Sequence, residues 1–303
     1  MQENLTLRAH VSSVVRKHRW LPPAGVLACG FVFAAAVVRE SDWYWIFSAA
    51  GSLVLASYVW GYAVRAAKVV DYPSLLNLPR RQYSDVWDAL ASTPELAKHA
   101  ACGHEDESSL RRSAQTPVRN LIELVGVRPE DDILEIGCGV ARVGFELAPR
   151  CRSWTGADLS ANMLAVAAQR LQRVSNVKLV KLQQVGLDQL ENNSFDLVYS
   201  TNMLDHLDGW DRWRYVQQAF RVLRPNGRLF IDNTDLEQDA GWRAFARGAE
   251  SSQELERTPY LPTPSTTSEL TTYASRAGFA QILAHKRSPL VIVTAVKPAI
   301  EES

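Results

Sequence analysis

A chain of 303 residues has room for one large domain plus extras, or for two domains, and its 33 basic and 33 acidic side chains leave no net charge. That balance gives no general attraction to polyphosphate, so nucleic acid is not expected as a partner. The four cysteines, Cys29, Cys102, Cys138 and Cys151, form no CxxC pair. Neither a disulfide framework nor a metal site is expected from this, and a reducing compartment fits.

The first predicted elements are two uncharged stretches, residues 21–38 (LPPAGVLACGFVFAAAVV) and 43–64 (WYWIFSAAGSLVLASYVWGYAV). Each approaches the roughly 20 residues that cross a bilayer as helix. Only RESD separates them, so the sequence predicts a transmembrane hairpin within residues 1–70. Arg8, Arg16, Lys17 and Arg19 precede the first stretch, and Arg65 and Lys68 follow the second. The positive-inside rule then puts the N-terminus and the remainder of the chain in the cytoplasm. Ser48, Ser52 and Ala56 recur every four residues, which would let the two helices approach closely. A buried hairpin in a soluble protein is one alternative, but no polar face is left to meet water. A cleaved signal peptide is another for the first stretch, and its basic region would be unusually long.

Residues 71–116 read as a linker and helical lead-in. Pro73 and Pro79 block continuous helix, and residues 81–103 form one or two short helices broken at Pro94. The polar run GHEDESSLRRSAQ reads as a loop entering a helix over 117–126. His99, Cys102 and His104 are too loosely spaced for a zinc signature.

From residue 117 to 298 strand and helix patterns alternate. DILEI is a buried strand, residues 141–149 a helix stopped by Pro149, and SWTGAD a second strand. Ser160 caps the helix SANMLAVAAQRLQRV. VKLVKL and FDLVYST are strands, WDRWRYVQQAFRVL is a helix, and NGRLFIDN is a fifth strand behind an Asn-Gly turn. The helix SELTTYASRAGF and the strands AQILAHKR and PLVIVTAV complete the pattern. Such alternation predicts a mainly parallel sheet covered on both faces, with ligands beyond the carboxyl ends of the strands. Those ends are Gly137–Gly139, Asp158, the region after Leu182, Ser200–Asn202 and Asp232–Asn233.

The first of these ends lies in DDILEIGCGVARVGFELA, a strand, a glycine turn and the start of a helix. A dinucleotide fingerprint has a third glycine where this chain has Arg142. The strand also ends in Glu135, a poor neighbour for pyrophosphate. A sulfonium with a free amino-acid end is cationic and suits a carboxylate there. Asp158, 19 residues after Gly139, closes the second strand, where a carboxylate can accept both ribose hydroxyls.

The segments ILEIGCGVARVGFELA, GADLSANMLAVAAQRL, NSFDLVYSTNMLDHL and RVLRPNGRLFIDN together resemble a class I S-adenosylmethionine-dependent methyltransferase over residues 117–298. The resemblance implies an α/β, Rossmann-like seven-stranded sheet whose last strand is antiparallel, with S-adenosyl-L-methionine as cofactor. It puts Glu135, Gly137, Cys138 and Gly139 at the methionine end, Asp158 on the ribose, and Leu159 and Met163 around the adenine. The family often has an Asp-Ala pair after strand three; here the region reads KLQQVGL, so Gln183 or Gln184 would meet the adenine amino group, and Thr201 lies near the cofactor.

His206, in NMLDHL past the fourth strand, is the candidate general base, with packing of its loop as the plainer role. Asp205, Asn202 and Tyr199 are secondary candidates. Residues 234–266 form an insertion that is either a substrate lid or a surface excursion. The expected activity is methyl transfer by a membrane-anchored enzyme to a small-molecule or lipid-like acceptor. The rivals are a non-catalytic membrane scaffold with a cofactor fold and a nicotinamide-dependent oxidoreductase.

Overall fold

The computed structural model describes residues 82–251 and 261–299. The expected transmembrane hairpin and residues 71–81 lie outside these, as does part of the insertion. Among the described residues no helix is long and apolar enough to cross a membrane.

The centre is a seven-stranded sheet in the order β3-β2-β1-β4-β5-β7-β6. Its strands are β1 (Asp132–Ile136), β2 (Ser153–Asp158), β3 (Val177–Lys181), β4 (Phe195–Ser200), β5 (Leu223–Thr234), β6 (Ala280–Arg287) and β7 (Leu290–Val296). Neighbours from β3 through β5 run parallel, and β7 is antiparallel to both β5 and β6. The expected antiparallel last strand is therefore present, inserted between β5 and β6. Central strands such as Phe195–Ser200 are apolar on both faces because helices cover both. The edge strand β6 is mostly exposed.

One face packs Leu134, Val198 and Leu229 against α6 (Gly209–Val222) and α8 (Thr267–Ala277). The other packs Ile133, Leu197 and Trp154 against α3 (Glu107–Leu124) and α5 (Ala161–Leu171). Burying a side chain such as Trp154, which is fully enclosed, contributes roughly 3 kcal/mol. A smaller cluster joins the lead-in helices α1 (Tyr83–Leu90) and α2 (Pro94–Cys102) to α5 through Ala97, Met163 and Val166. Thr93 caps α2, with Pro94 in its first turn.

Three expectations are corrected. The run GHEDESSLRRSAQ is not a loop up to Pro117: α3 starts at Glu107, capped by Asp106, and Pro117 lies inside it. Leu110, Ala114, Val118 and Leu121 supply the buried stripe that holds this helix. The helix expected over 141–149 is only α4 (Gly144–Leu147) with a following 3₁₀ turn over Ala148–Arg150, because the glycine turn extends further. β5 begins at Leu223, directly after α6, with an irregularity between its pairing at Leu223 and at Arg228.

Candidate functional site

The carboxyl ends of β1, β2 and β4 converge on a cavity of about 330 Å³. Its floor is the glycine turn. Gly137 has φ +70°, and a Cβ there would lie 2.3 Å from Cγ of Met203, so only glycine fits. Gly139 has φ +50° and open space where its Cβ would be. Ala141 also takes a positive φ of 55°, which costs an L-residue roughly 1 kcal/mol. The turn is held in that shape by Arg170 from α5, which donates to the carbonyls of Val140 (2.6 Å) and Ala141 (2.9 Å).

Glu135, Gly137, Cys138, Gly139, Asp158, Leu159, Met163, Thr201 and His206 all line the cavity. Gln183 and Gln184 do not. Both are exposed, line a neighbouring depression and leave Leu182 as the contribution of that loop to the cavity. The β3 carboxyl end turns outward there: Gln184 donates to Asp188, and Gln189 accepts from the Gln183 amide. The expectation that one of them meets the adenine is therefore not carried by the geometry.

The two expected cofactor carboxylates are prepared differently. Asp158 accepts from the Gly139 amide (2.8 Å) with one oxygen and from the Ser160 amide (2.8 Å) with the other. Each oxygen keeps a second lone pair for a hydroxyl. Burial raises the Asp158 carboxyl, against these two bonds. Glu135 is 3 % exposed and ends a buried relay: Trp154 Nε1 donates to Tyr199 (3.0 Å), whose hydroxyl donates to Glu135 Oε2 (2.6 Å). Burial pushes the Glu135 carboxyl up to about 8, opposed by the Tyr199 hydrogen bond and the Arg142 charge. Tyr199, a secondary catalytic candidate, is thus a buried support for Glu135.

Arg142 fills a role that the sequence did not reveal. Pro117 has no N–H, so it cannot donate to the Ser113 carbonyl one turn earlier in α3. Arg142, itself 8 % exposed, donates to that carbonyl at 2.5 Å. Its guanidinium also lines the cavity and opposes the burial-raised carboxyls of Glu135 and Asp232. The position that lacks the third glycine therefore mends a proline break and supplies the counter-charge to two buried acids.

Another wall of the cavity is built from the loop after β4. Asn202 takes φ +52°, and its amide donates to Asp232 Oδ1 (2.7 Å). Burial raises Asp232 to about 7, with the Asn202 bond and the Asp205 charge pulling in opposite directions. A 3₁₀ turn, Leu204–His206, then points Asp205 and His206 inward. His206 Nε2 lies 3.5 Å from Asp205 Oδ1, and its ring meets Trp87 edge-on at 4.7 Å between centroids.

Tyr83 and Trp87 of α1, with Ala100 and Ala101 of α2, form the roof. Asp88 fastens that roof to the start of α5: its carboxylate accepts from the Ser160 hydroxyl (2.6 Å) and the Asn162 amide (3.0 Å), and its carbonyl accepts from Asn162 Nδ2 (2.8 Å). The lead-in segment is part of the site, a role signalled in sequence only by its aromatics. The insertion divides in two. Thr263 donates to the Asp205 carbonyl (2.6 Å), and buried Arg212 ties Leu204 to Ser265 (both bonds 2.8 Å). By contrast α7 (Asp239–Ser251) leaves Trp242 58 % and Phe245 37 % exposed.

A family model for a methyltransferase domain matches residues 134–231, from β1 through the cavity to β5. Residues 134–231 carry a methyltransferase domain. Among curated relatives, the methyltransferase domain is 31% identical over 131 residues to 27-O-demethylrifamycin SV methyltransferase of Amycolatopsis mediterranei, covering 42% of this chain and 47% of that one. It is 30% identical over 134 residues to 2-phytyl-1,4-naphtoquinone methyltransferase of Nostoc, covering 41% and 56%. It is 26% identical over 116 residues to phosphoethanolamine N-methyltransferase 1 of Arabidopsis thaliana, covering 38% and 23%. The match therefore spans between about a quarter and about half of these relatives. Among solved structures, the magnesium protoporphyrin IX methyltransferase of Synechocystis with bound S-adenosylhomocysteine shares the fold at TM-score 0.53 and 15% identity. That alignment covers 71% of this chain and 97% of that one.

Proposed function

We propose that the protein transfers the methyl group of S-adenosylmethionine to a small-molecule acceptor. The observation that carries this reading is the pairing of buried Glu135 with the glycine turn and Asp158 in one cavity. A carboxylate there attracts a sulfonium and an ammonium, and repels a pyrophosphate. The nicotinamide reading loses on that charge and on Arg142, which fills the place of the fingerprint's third glycine. The donor methyl is already activated, so most of the protein's contribution is alignment of acceptor and donor. His206 lies on the acceptor side of the cavity and takes the acceptor's proton as transfer proceeds.

Titrating the purified protein with S-adenosylmethionine by calorimetry tests this. Wild type binds, while Asp158→Ala and Gly137→Arg do not; a wild type that fails to bind removes the proposal. Incubation with methyl-labelled donor and cell extracts then shows which fraction takes label.

The uncharged stretches 21–38 and 43–64 support a further part of the reading: the enzyme is tethered to a membrane by residues 1–70, with its N-terminus and catalytic domain cytoplasmic, and draws on a lipid-like acceptor. The full chain should stay with membranes through an alkaline carbonate wash, and its release by that wash would overturn the tether.

A further inference from the structure

The acceptor half of the cavity has a chemistry of its own. Asp205 Oδ1 is buried and, among the described residues, accepts no hydrogen bond. His206 Nε2, the neighbouring polar atom, stands 3.5 Å away. The Asp205 backbone is fixed from behind by Thr263, so the carboxylate is held in place on the cavity wall. A buried acceptor atom left unsatisfied is destabilising, so an acceptor group kept in this state is suited to a donor that arrives with a ligand.

The charge of the cavity narrows what that donor is. Glu135, Asp158 and Asp205 line it, and Asp232 sits behind Asn202. Arg142 is the one arginine or lysine on the lining among the described residues, and its guanidinium is engaged with Ser113. The sulfonium cofactor brings a net single positive charge, which leaves a surplus of negative charge on the acceptor side. The remaining wall carries Trp87, Ala100, Ala101, Met203 and Leu207, with Thr201 and Asn202 as its neutral polar groups. Such a surface suits a cation carried on an apolar body, and offers nothing to a phosphate.

On the methyltransferase reading, we propose that Asp205 is the acceptor-docking residue and that the acceptor is an amine with an apolar body. The protonated amine enters with an N–H donated to Asp205 Oδ1, and passes one proton to His206 Nε2. The freed nitrogen lone pair forms the new N–C bond to the donor methyl. The C–S bond breaks with its electron pair kept by sulfur, which leaves a neutral thioether and a methylated ammonium. His206 returns its proton to solvent. Asp205 selects and orients, and His206 moves the proton.

The test uses the full chain loaded with S-adenosylhomocysteine, so that no turnover intervenes, and three probes followed by calorimetry: 2-phenylethylamine, 2-phenylethanol and phosphoethanolamine. The amine is expected to bind at least about tenfold more tightly than the alcohol of the same skeleton, and more tightly than phosphoethanolamine, since a buried charged hydrogen bond is worth that much or more. Asp205→Asn should lose about tenfold or more for the amine and change little for the alcohol. Equal binding of amine and alcohol by wild type overturns the proposal without need of any variant, as does preference for phosphoethanolamine. Unchanged amine binding in a folded Asp205→Asn also overturns it. Failure of wild type to take up S-adenosylhomocysteine overturns the methyltransferase reading itself, and is distinguishable because it is read before any probe is added.

Discussion

Replacing Glu135 by Gln should change how cofactor binding depends on pH. The Glu135 carboxyl is held up to about 8 by burial, so near neutrality the empty site is protonated there. A cationic cofactor favours the ionised form, so binding expels a proton. With that pKa, about one site in a hundred is ionised at pH 6 and about half at pH 8, so the apparent dissociation constant should fall about 50-fold between them. At pH 7 about 0.9 proton should be released per cofactor bound by this group. Calorimetry in buffers of different ionisation enthalpy reads both quantities. Asp232, raised to about 7, adds its own smaller pH dependence, which Glu135→Gln retains. The decisive quantity is therefore the difference between wild type and Glu135→Gln. If both release the same number of protons and show the same pH slope, Glu135 is not the group that meets the cofactor's charge. Stability gives an independent sign. Glu135 has a folded pKa above its unfolded value, so the folded state binds more protons between about pH 4.5 and 8 and loses stability as pH rises through that window. Glu135→Gln should be more stable than wild type at pH 8 and indistinguishable from it at pH 4.

Arg142→Met should leave the Ser113 carbonyl unsatisfied and cost about 1–3 kcal/mol in urea unfolding. Adding Pro117→Ala restores a helix N–H to that carbonyl, so the pair should be more stable than Arg142→Met alone by about 1 kcal/mol or more, in a double-mutant cycle that a purely electrostatic Arg142 would not show. Gly137→Ala places a Cβ 2.3 Å from Met203 at a left-handed backbone, and should cost about 1–3 kcal/mol and abolish cofactor binding, checked by thermal unfolding and calorimetry. His206→Asn should lower turnover about 10²–10⁴-fold while leaving the cofactor dissociation constant within error, as expected for a group that takes the acceptor's proton.

The sheet could be read from the sequence because its central strands are short apolar runs between strong turn signals, and because helical patterns separate them. The glycine turn, Asp158 and His206 follow from that, since each sits at a strand end. What was missed depends on contacts distant in sequence. Arg142 was legible only as an absent glycine; its partner Ser113 is 29 residues away, and Pro117 gives the reason for the contact. Gln183 and Gln184 were placed by position after a strand, but the direction in which that loop leaves the sheet is set by Leu182 and Leu187 entering the core. The start of α3 was recoverable. Asp106 as cap and the apolar spacing Leu110, Ala114, Val118, Leu121 are both in the sequence, and were masked by the charged residues between them and by Pro117.

The fastening of α1 by Asp88 has a kinetic meaning. Hydrogen bonds from Tyr83, Ser84 and Asp88 hold this helix over the cavity, and Tyr83 enters the core that the strands share, whereas the floor beneath is continuous with the sheet. Opening the cavity by lifting this two-turn helix therefore means withdrawing Tyr83 from that shared core as well as breaking the Asp88 contacts. Where cofactor exchange takes that route, the opening caps turnover separately from the methyl-transfer step.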